Sequence, residues 1–257
     1  MNIIYTPGGA AREYASHAAN FYKGCAHGCK YCYAPKATYN KPEEFHDPEW
    51  ITARDVLGKF ALDCAKMAED QQPDDRVLIS FSCDPYQPLD DKLRYTRAAL
   101  VMLAHYEIPA TVLTKAGMKA ARDFDVMMEN LAGTEFGTSL VWMDDEKRKL
   151  WEPCAAPVGK RIDAINKAKQ AGLRTWVSLE PVIEPAQALE VIDKLHDIVD
   201  HWKVGKLNHN PEVEGHIDWH AFVNGLQVLE AKYDLDMYIK ESLGPYGHFR
   251  KVVRVTV

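Results

Sequence analysis

The chain has 257 residues, 47% of them apolar, enough for one sizeable domain or two small ones. Lys plus Arg number 31 against 37 Asp plus Glu, and the net charge of -6 withholds the overall positive field of a general nucleic-acid binder. No apolar run approaches the roughly 18 residues of a membrane span, and the opening MNIIYTPGGAAREY lacks the apolar stretch of a secretion signal.

In chain order, NFYKG (20–24) is a short strand candidate that runs into a cysteine-bearing loop. Residues 51–70 read as a helix, with Val56, Leu57, Phe60, Cys64 and Met67 at helical spacing. A strand over 76–82 follows the turn at Pro73, Asp74 and Asp75, then a helix over 93–106 and a β-branched strand over 109–115. A helix over 118–131 leads to a strand over 134–142. The next helix, 158–172, stops at Gly172. A strand over 174–182 precedes a helix over 185–199 with Pro185 at its start. A strand over 201–207, a helix over 219–233 and a weaker strand over 236–241 complete the alternation.

Strands that alternate with crossover helices pair in parallel, which gives the α/β class. A doubly wound sheet and a barrel both fit. The expectation here is a partial (β/α)6-type TIM barrel, because polar residues gather just past the strand ends: Cys83, Asp84, Lys115, Ser139, Glu180, Lys206 and Asn208. In such barrels the site lies at the C-terminal rim of the strands. The whole chain, 1–257, reads as one domain with a core over about 18–210 and a helix-and-strand extension over about 211–257.

Of six cysteines, Cys64, Cys83 and Cys154 are scattered, while Cys25, Cys29 and Cys32 are spaced C-x3-C-x2-C. This is not a disulfide framework; clustered thiols in a chain without an export signal point to metal and to a reducing cytoplasm. A zinc site normally takes four protein ligands, and His27 lies between the first two cysteines. However, no second C-x2-C or H-x3-H pair follows at zinc-ribbon spacing, and His27 is cramped within the short loop. The other reading is an iron–sulfur cluster with one iron left open for a substrate or cofactor. A third is that the cysteines are core residues, which Gly24, Gly28 and Lys30 beside them oppose.

Cys25, Cys29, Tyr31 and Cys32 form C-x3-C-x-aromatic-C, the motif of the radical S-adenosylmethionine (radical SAM) enzymes. CKYCYAP, SCDPYQP, LTKAG, ARDFDVM, WEPCAAP and SLEPV follow in order over roughly residues 1–243, and together they resemble the spore photoproduct lyase-like branch of that family. The resemblance implies a [4Fe–4S] cluster on the three cysteines, with the amino and carboxylate groups of S-adenosylmethionine (SAM) on the open iron. It implies one-electron cleavage of SAM to a 5′-deoxyadenosyl radical that abstracts hydrogen from substrate. A reducing partner such as flavodoxin or ferredoxin is implied as well.

The same resemblance assigns candidate roles. Tyr31 would lie beside the adenine, and packing is its other reading. Tyr33 would take part in hydrogen-atom return. Asp84 would accept from the SAM amine, or simply start an Asp-Pro turn. Cys83 corresponds to the neighbourhood of the lyase's hydrogen donor, although SCDPYQP differs from the lyase's surroundings there; a small buried hydrophobe is the alternative. Lys115 would meet the SAM carboxylate or be a solvated lysine. Ser139 would bond the ribose, with Thr138 competing for the inward direction. Glu152 and Arg161 would lie near SAM or form a surface ion pair. Glu180 would hold substrate or the ribose hydroxyls. Lys203, Lys206, Asn208, His209, Lys240 and Glu241 are further rim candidates, and the basic tail HFRKVVRVTV has two readings, a sheet edge or a partner. A lesion in nucleic acid is the substrate the resemblance suggests, and a nucleotide or small molecule is the alternative the net charge favours. A non-catalytic metal or redox-sensing module is the reading from another class.

Overall fold

The computed structural model describes residues 2–47, 49–50, 55–72, 75–207 and 210–247. Asn208, His209, the tail over 248–257, Pro73 and Asp74 of the predicted turn, and 51–54 of the predicted helix lie outside the described residues.

The strands in chain order are β1 (Ile4–Tyr5), β2 (His17–Ala19), β3 (Tyr22–Lys23), β4 (Glu49–Trp50), β5 (Val77–Ile79), β6 (Ala110–Thr114), β7 (Thr134–Ser139), β8 (Arg174–Val182), β9 (His201–Lys206) and β10 (Met237–Ile239). Eight of them form one sheet in the order β1-β2-β5-β6-β7-β8-β9-β10. Every pairing from β2 to β10 is parallel, and β1 is an antiparallel edge. The helices that cross between parallel strands are α1 (Val56–Glu69), α2 (Tyr95–His105), α3 (Phe124–Glu129), α4 (Val158–Gln170), α5 (Pro185–Leu195) and α6 (Trp219–Tyr233). Their apolar stripes pack on Val77, Ile79, Val112, Phe136, Val177 and Val204, so the core lies between sheet and helices.

The predicted α/β class, parallel pairing and outer helices hold, and the sheet is open and not closed into a full barrel, as a partial barrel requires. The first parallel strand is His17–Ala19, upstream of the predicted NFYKG segment. Tyr22 and Lys23 instead pair antiparallel with Trp50 and Glu49 in a separate ribbon that roots the cysteine loop. The adjacent aromatic residues Phe21 and Tyr22 are strand-like by type in either place.

The N-terminal segment packs across β8, β9 and β10. A short 3-10 helix (Gly9–Glu13) delivers Glu13 and Tyr14 against β8, β9 and β10. Lys203 donates to both of their carbonyl oxygens, at 3.3 and 2.8 Å. Tyr238 donates to the Glu13 carboxylate at 3.0 Å. These bonds give the half-buried carbonyls of Glu13 and Tyr14 their polar partners.

Candidate functional site

The loop after β3 carries the three cysteines, and backbone bonds fix its course. Cys25 N–H donates to the Phe45 carbonyl at 2.9 Å, Lys30 N–H to the Trp151 carbonyl at 2.9 Å, and Cys154 N–H to the His27 carbonyl at 3.2 Å. The buried Gln87 side chain accepts from Ala26 N–H at 3.0 Å and donates to the Gly24 carbonyl at 3.2 Å. Gly24 and Gly28 have positive φ, at 78° and 62°, where the loop reverses.

Cys25, Cys29 and Cys32 line one cavity of about 140 Å³, together with His27, Cys83, Asp84, Thr114, Lys115 and Ser139. Through shared walls at Tyr31, Tyr33, Ser80, Phe81, Lys115 and Ser139, it adjoins a cavity of about 670 Å³. The larger space is bounded by Tyr5, Tyr14, Ser178, Glu180 and Lys240. Both lie at the C-terminal ends of β5 to β8, the end that α/β topology leaves open for ligands.

Burial pushes the Cys25 and Cys29 thiols up to about 12, and the Cys32 thiol up as well. The positive charge of Lys115 opposes the rise at Cys29 and Cys32. Such thiols ionise when a cation takes the proton's place. One zinc ion requires four donors on one centre. Among the described residues no three His, Cys, Asp or Glu side chains are grouped to hold one metal ion. An iron–sulfur cluster distributes thiolates over several irons, and three thiols on one cavity beside a lysine fit that donor set. His27 is 4% exposed, with Nδ1 at 3.4 Å from Asp84. Burial lowers its pKa despite that carboxylate.

Asp84 is engaged on both oxygens. Oδ1 accepts from Tyr86 N–H at 2.8 Å and Thr114 Oγ1 at 2.7 Å, and Oδ2 from Lys115 N–H at 2.7 Å. It ties the loop after β5 to the end of β6. The Lys115 ammonium makes no hydrogen bond or ion pair among the described residues; it lies 5.7 Å from the centre of the Tyr31 ring. Burial disfavours its charge, but Cys29, Glu152 and Asp84 together raise its pKa above the usual value.

Glu152 and Arg161 are an interior pair, not the surface ion pair that was one sequence reading. Arg161 Nε donates to the Ala156 carbonyl and Nη1 to the Ser139 carbonyl, each at 2.9 Å, while Nη2 reaches Glu152. The second Glu152 oxygen accepts from the Tyr31 hydroxyl. Every Arg161 nitrogen therefore has a protein acceptor, and the network joins the end of β7 to the cysteine loop. Thr138 turns away, donating to the Thr114 carbonyl at 2.7 Å, and Ser139 lines both cavities.

Tyr33 is 46% exposed at the cavity wall, its hydroxyl 3.4 Å from the Phe81 carbonyl. Cys83 is 9% exposed, and burial raises its thiol pKa. Glu180 meets Tyr14 OH and, at 2.8 Å, Lys240 Nζ; Tyr14 OH is 3.1 Å from Ser178 Oγ. Lys203 turns to the N-terminal segment and Lys206 pairs with Glu214 at 2.9 Å, so neither lines the two cavities. Sequence reasoning missed Tyr14, Ser178 and Gln87. Gln87 stands in the SCDPYQP motif, whereas Tyr14 belongs to an irregular segment with no periodicity to mark it.

No family model matches the chain. An uncharacterized protein of Methanocaldococcus jannaschii is 24% identical over 180 residues, covering 69% of this chain and 64% of the relative, so less than two thirds of that relative's length is matched. Among solved structures, a spore photoproduct lyase mutant with bound AdoMet and dinucleoside spore photoproduct superposes with a TM-score of 0.70 at 13% identity, covering 91% of this chain and 78% of the other. SuiB of Streptococcus suis bound to S-adenosylmethionine gives a TM-score of 0.65 at 11% identity, covering 89% and 51%. The chain therefore shares its fold with these two solved structures, each of which has S-adenosylmethionine bound.

Proposed function

We propose that the chain is a radical SAM enzyme, with Cys25, Cys29 and Cys32 holding a [4Fe–4S] cluster and the larger cavity taking SAM and substrate. One observation carries this reading: the three thiols open on a cavity that adjoins a second one at the C-terminal ends of parallel strands. When bound, the cluster and SAM supply a 5′-deoxyadenosyl radical that abstracts hydrogen from substrate.

The chain's own residues bind and orient. Lys115, a cation without a carboxylate partner among the described residues, is suited to the SAM carboxylate. Tyr31, pinned through its hydroxyl to Glu152, offers a flat wall for the adenine. Ser139 faces the ribose. Glu152, Arg161 and Asp84 are positioning residues, because their polar atoms are already bonded to protein. Glu180, with Tyr14 and Lys240, forms the far wall, where substrate lies. Tyr33 guards the opening between the cavity and solvent.

SAM takes a large share of the cavity of about 670 Å³, so the reacting part of the substrate is a nucleotide-sized group or smaller. A lesion in a nucleic acid would enter only after leaving its stack, and the net charge of -6 gives no general attraction to duplexes. We read the chain as one domain working in a reducing cytoplasm, served by a flavodoxin or ferredoxin. The test of substrate is label transfer: deuterated nucleosides, nucleotides and lesion-bearing oligonucleotides are incubated with SAM and reductant. Deuterium in 5′-deoxyadenosine from a mononucleotide supports this reading; transfer only from an oligonucleotide replaces it with lesion repair.

A further inference from the structure

Four thiols, not three, line the cysteine cavity. Cys83 reaches it from the loop after β5, beside Cys25, Cys29 and Cys32. Its neighbours Ser80, Phe81 and Ser82 line the larger cavity as well, but Cys83 does not. Cys83 therefore borders the cavity of the three loop cysteines and not the larger one. The loop is held in place. Asn20 Oδ1 accepts from Phe81 N–H at 2.8 Å and Ser82 N–H at 2.9 Å, and Asp84 is anchored to β6. Cys83 is 9% exposed, so it is shielded from solvent.

We propose that Cys83 is an exchangeable fourth ligand of the cluster, bound when SAM is absent and displaced when SAM arrives. The inference rests on the radical SAM reading above. Three loop cysteines leave one iron without a protein ligand, and a shielded thiol already lines the same cavity. On binding iron, the Cys83 thiol loses its proton to solvent and gains one Fe–S bond. On SAM entry that bond breaks, the amino and carboxylate groups of SAM take the iron, and the thiolate regains a proton. No electron moves in the exchange. SAM then binds the fraction of protein whose site is open, and a site open about a tenth of the time lowers its apparent affinity about tenfold.

The test is Mössbauer spectroscopy of the protein reconstituted with ⁵⁷Fe, wild type and Cys83→Ala, with and without SAM. Without SAM, wild type should show only thiolate-ligated iron, and Cys83→Ala a distinct iron site. SAM should create that distinct site in wild type and bind Cys83→Ala about tenfold more tightly. A distinct site in SAM-free wild type, or equal SAM affinity of the two proteins, overturns the proposal and leaves the radical SAM reading standing. Should Cys83→Ala not fold, the SAM-free wild-type spectrum alone decides. Absence of any iron–sulfur cluster in wild type overturns both readings. Loss of hydrogen transfer to product in Cys83→Ala, with spectra and SAM affinity unchanged, would make Cys83 a hydrogen donor and not a ligand.

Discussion

Glu152 and Arg161 form an ion pair from which water is excluded, with side-chain exposures of 1% and 0%. The pair is the keystone between β7 and the cysteine loop, because Arg161 also holds the Ser139 carbonyl and Glu152 also holds Tyr31. Removing one partner leaves an uncompensated buried charge, at a cost of about 3–5 kcal/mol. Arg161→Met should therefore lower the urea unfolding free energy by that amount. Glu152→Gln combined with Arg161→Met should cost less than the sum of the single changes. The exposed pair Lys160–Asp163 serves as control; breaking it should change stability by less than about 0.5 kcal/mol.

Lys115 and Asp84 are neighbours in space with different tasks. Asp84 spends both oxygens on Tyr86, Thr114 and the Lys115 backbone, whereas the Lys115 ammonium has no such commitments among the described residues. Lys115→Met should weaken SAM binding by about tenfold or more, the loss of a charge-assisted bond of about 1.5–3 kcal/mol. Asp84→Asn should act mainly on stability. Isothermal titration of SAM separates the two, and a larger affinity loss in Asp84→Asn would return Asp84 to the role of amine acceptor.

Gly137 marks where β7 lets an indole cross it. A Cβ there would lie 2.3 Å from Trp176 Cε2, and the ring is 1% exposed with little room to retreat. Gly137→Ala should destabilise by about 1–3 kcal/mol through overpacking, read as a lower Tm. Because Trp176 lies against Tyr14, at 6.2 Å between ring centres, the same change should loosen the N-terminal segment to proteolysis.

Lys203 gives a pH signature. Burial lowers its pKa to about 8, below the ~10.4 of an unfolded lysine. Below pH 8 both states are protonated and the cost of burying the charge is constant. Between pH 8 and about 10.4 the unfolded state binds more protons, so stability rises with pH from this group. The stability difference between wild type and Lys203→Met should therefore shift in favour of wild type across that window. A difference that stays flat from pH 7 to 10 would contradict the assignment.

The fold was largely legible because long helices and fully buried parallel strands leave strong periodicity. Arg174–Val182 and Trp219–Tyr233 coincide with their predicted bounds. The first parallel strand was displaced because NFYKG is strand-like and belongs to the ribbon, while the three-residue His17–Ala19 carries too short a pattern to stand out. The strand-end polar residues Cys83, Asp84, Lys115, Ser139 and Glu180 do converge on the two cavities, since a parallel sheet brings its C-terminal ends together. Sequence could not tell which of them are committed to protein partners. Arg161 and Asp84 look like ligand-binding residues by type; their bonds to the Ser139 carbonyl and to Lys115 N–H, on which we base a positioning role, leave no trace in the sequence. Tyr14 stayed hidden because its partners, Ser178 and Glu180, lie 164 and 166 residues away.

The central claim is tested most directly by purifying the protein without oxygen, reconstituting it with iron and sulfide, and adding SAM and dithionite. The protein should be brown, carry four irons, and release 5′-deoxyadenosine and methionine, and Cys25→Ala should release none. A colourless protein that retains zinc, or 5′-deoxyadenosine release that persists in Cys25→Ala, would contradict it.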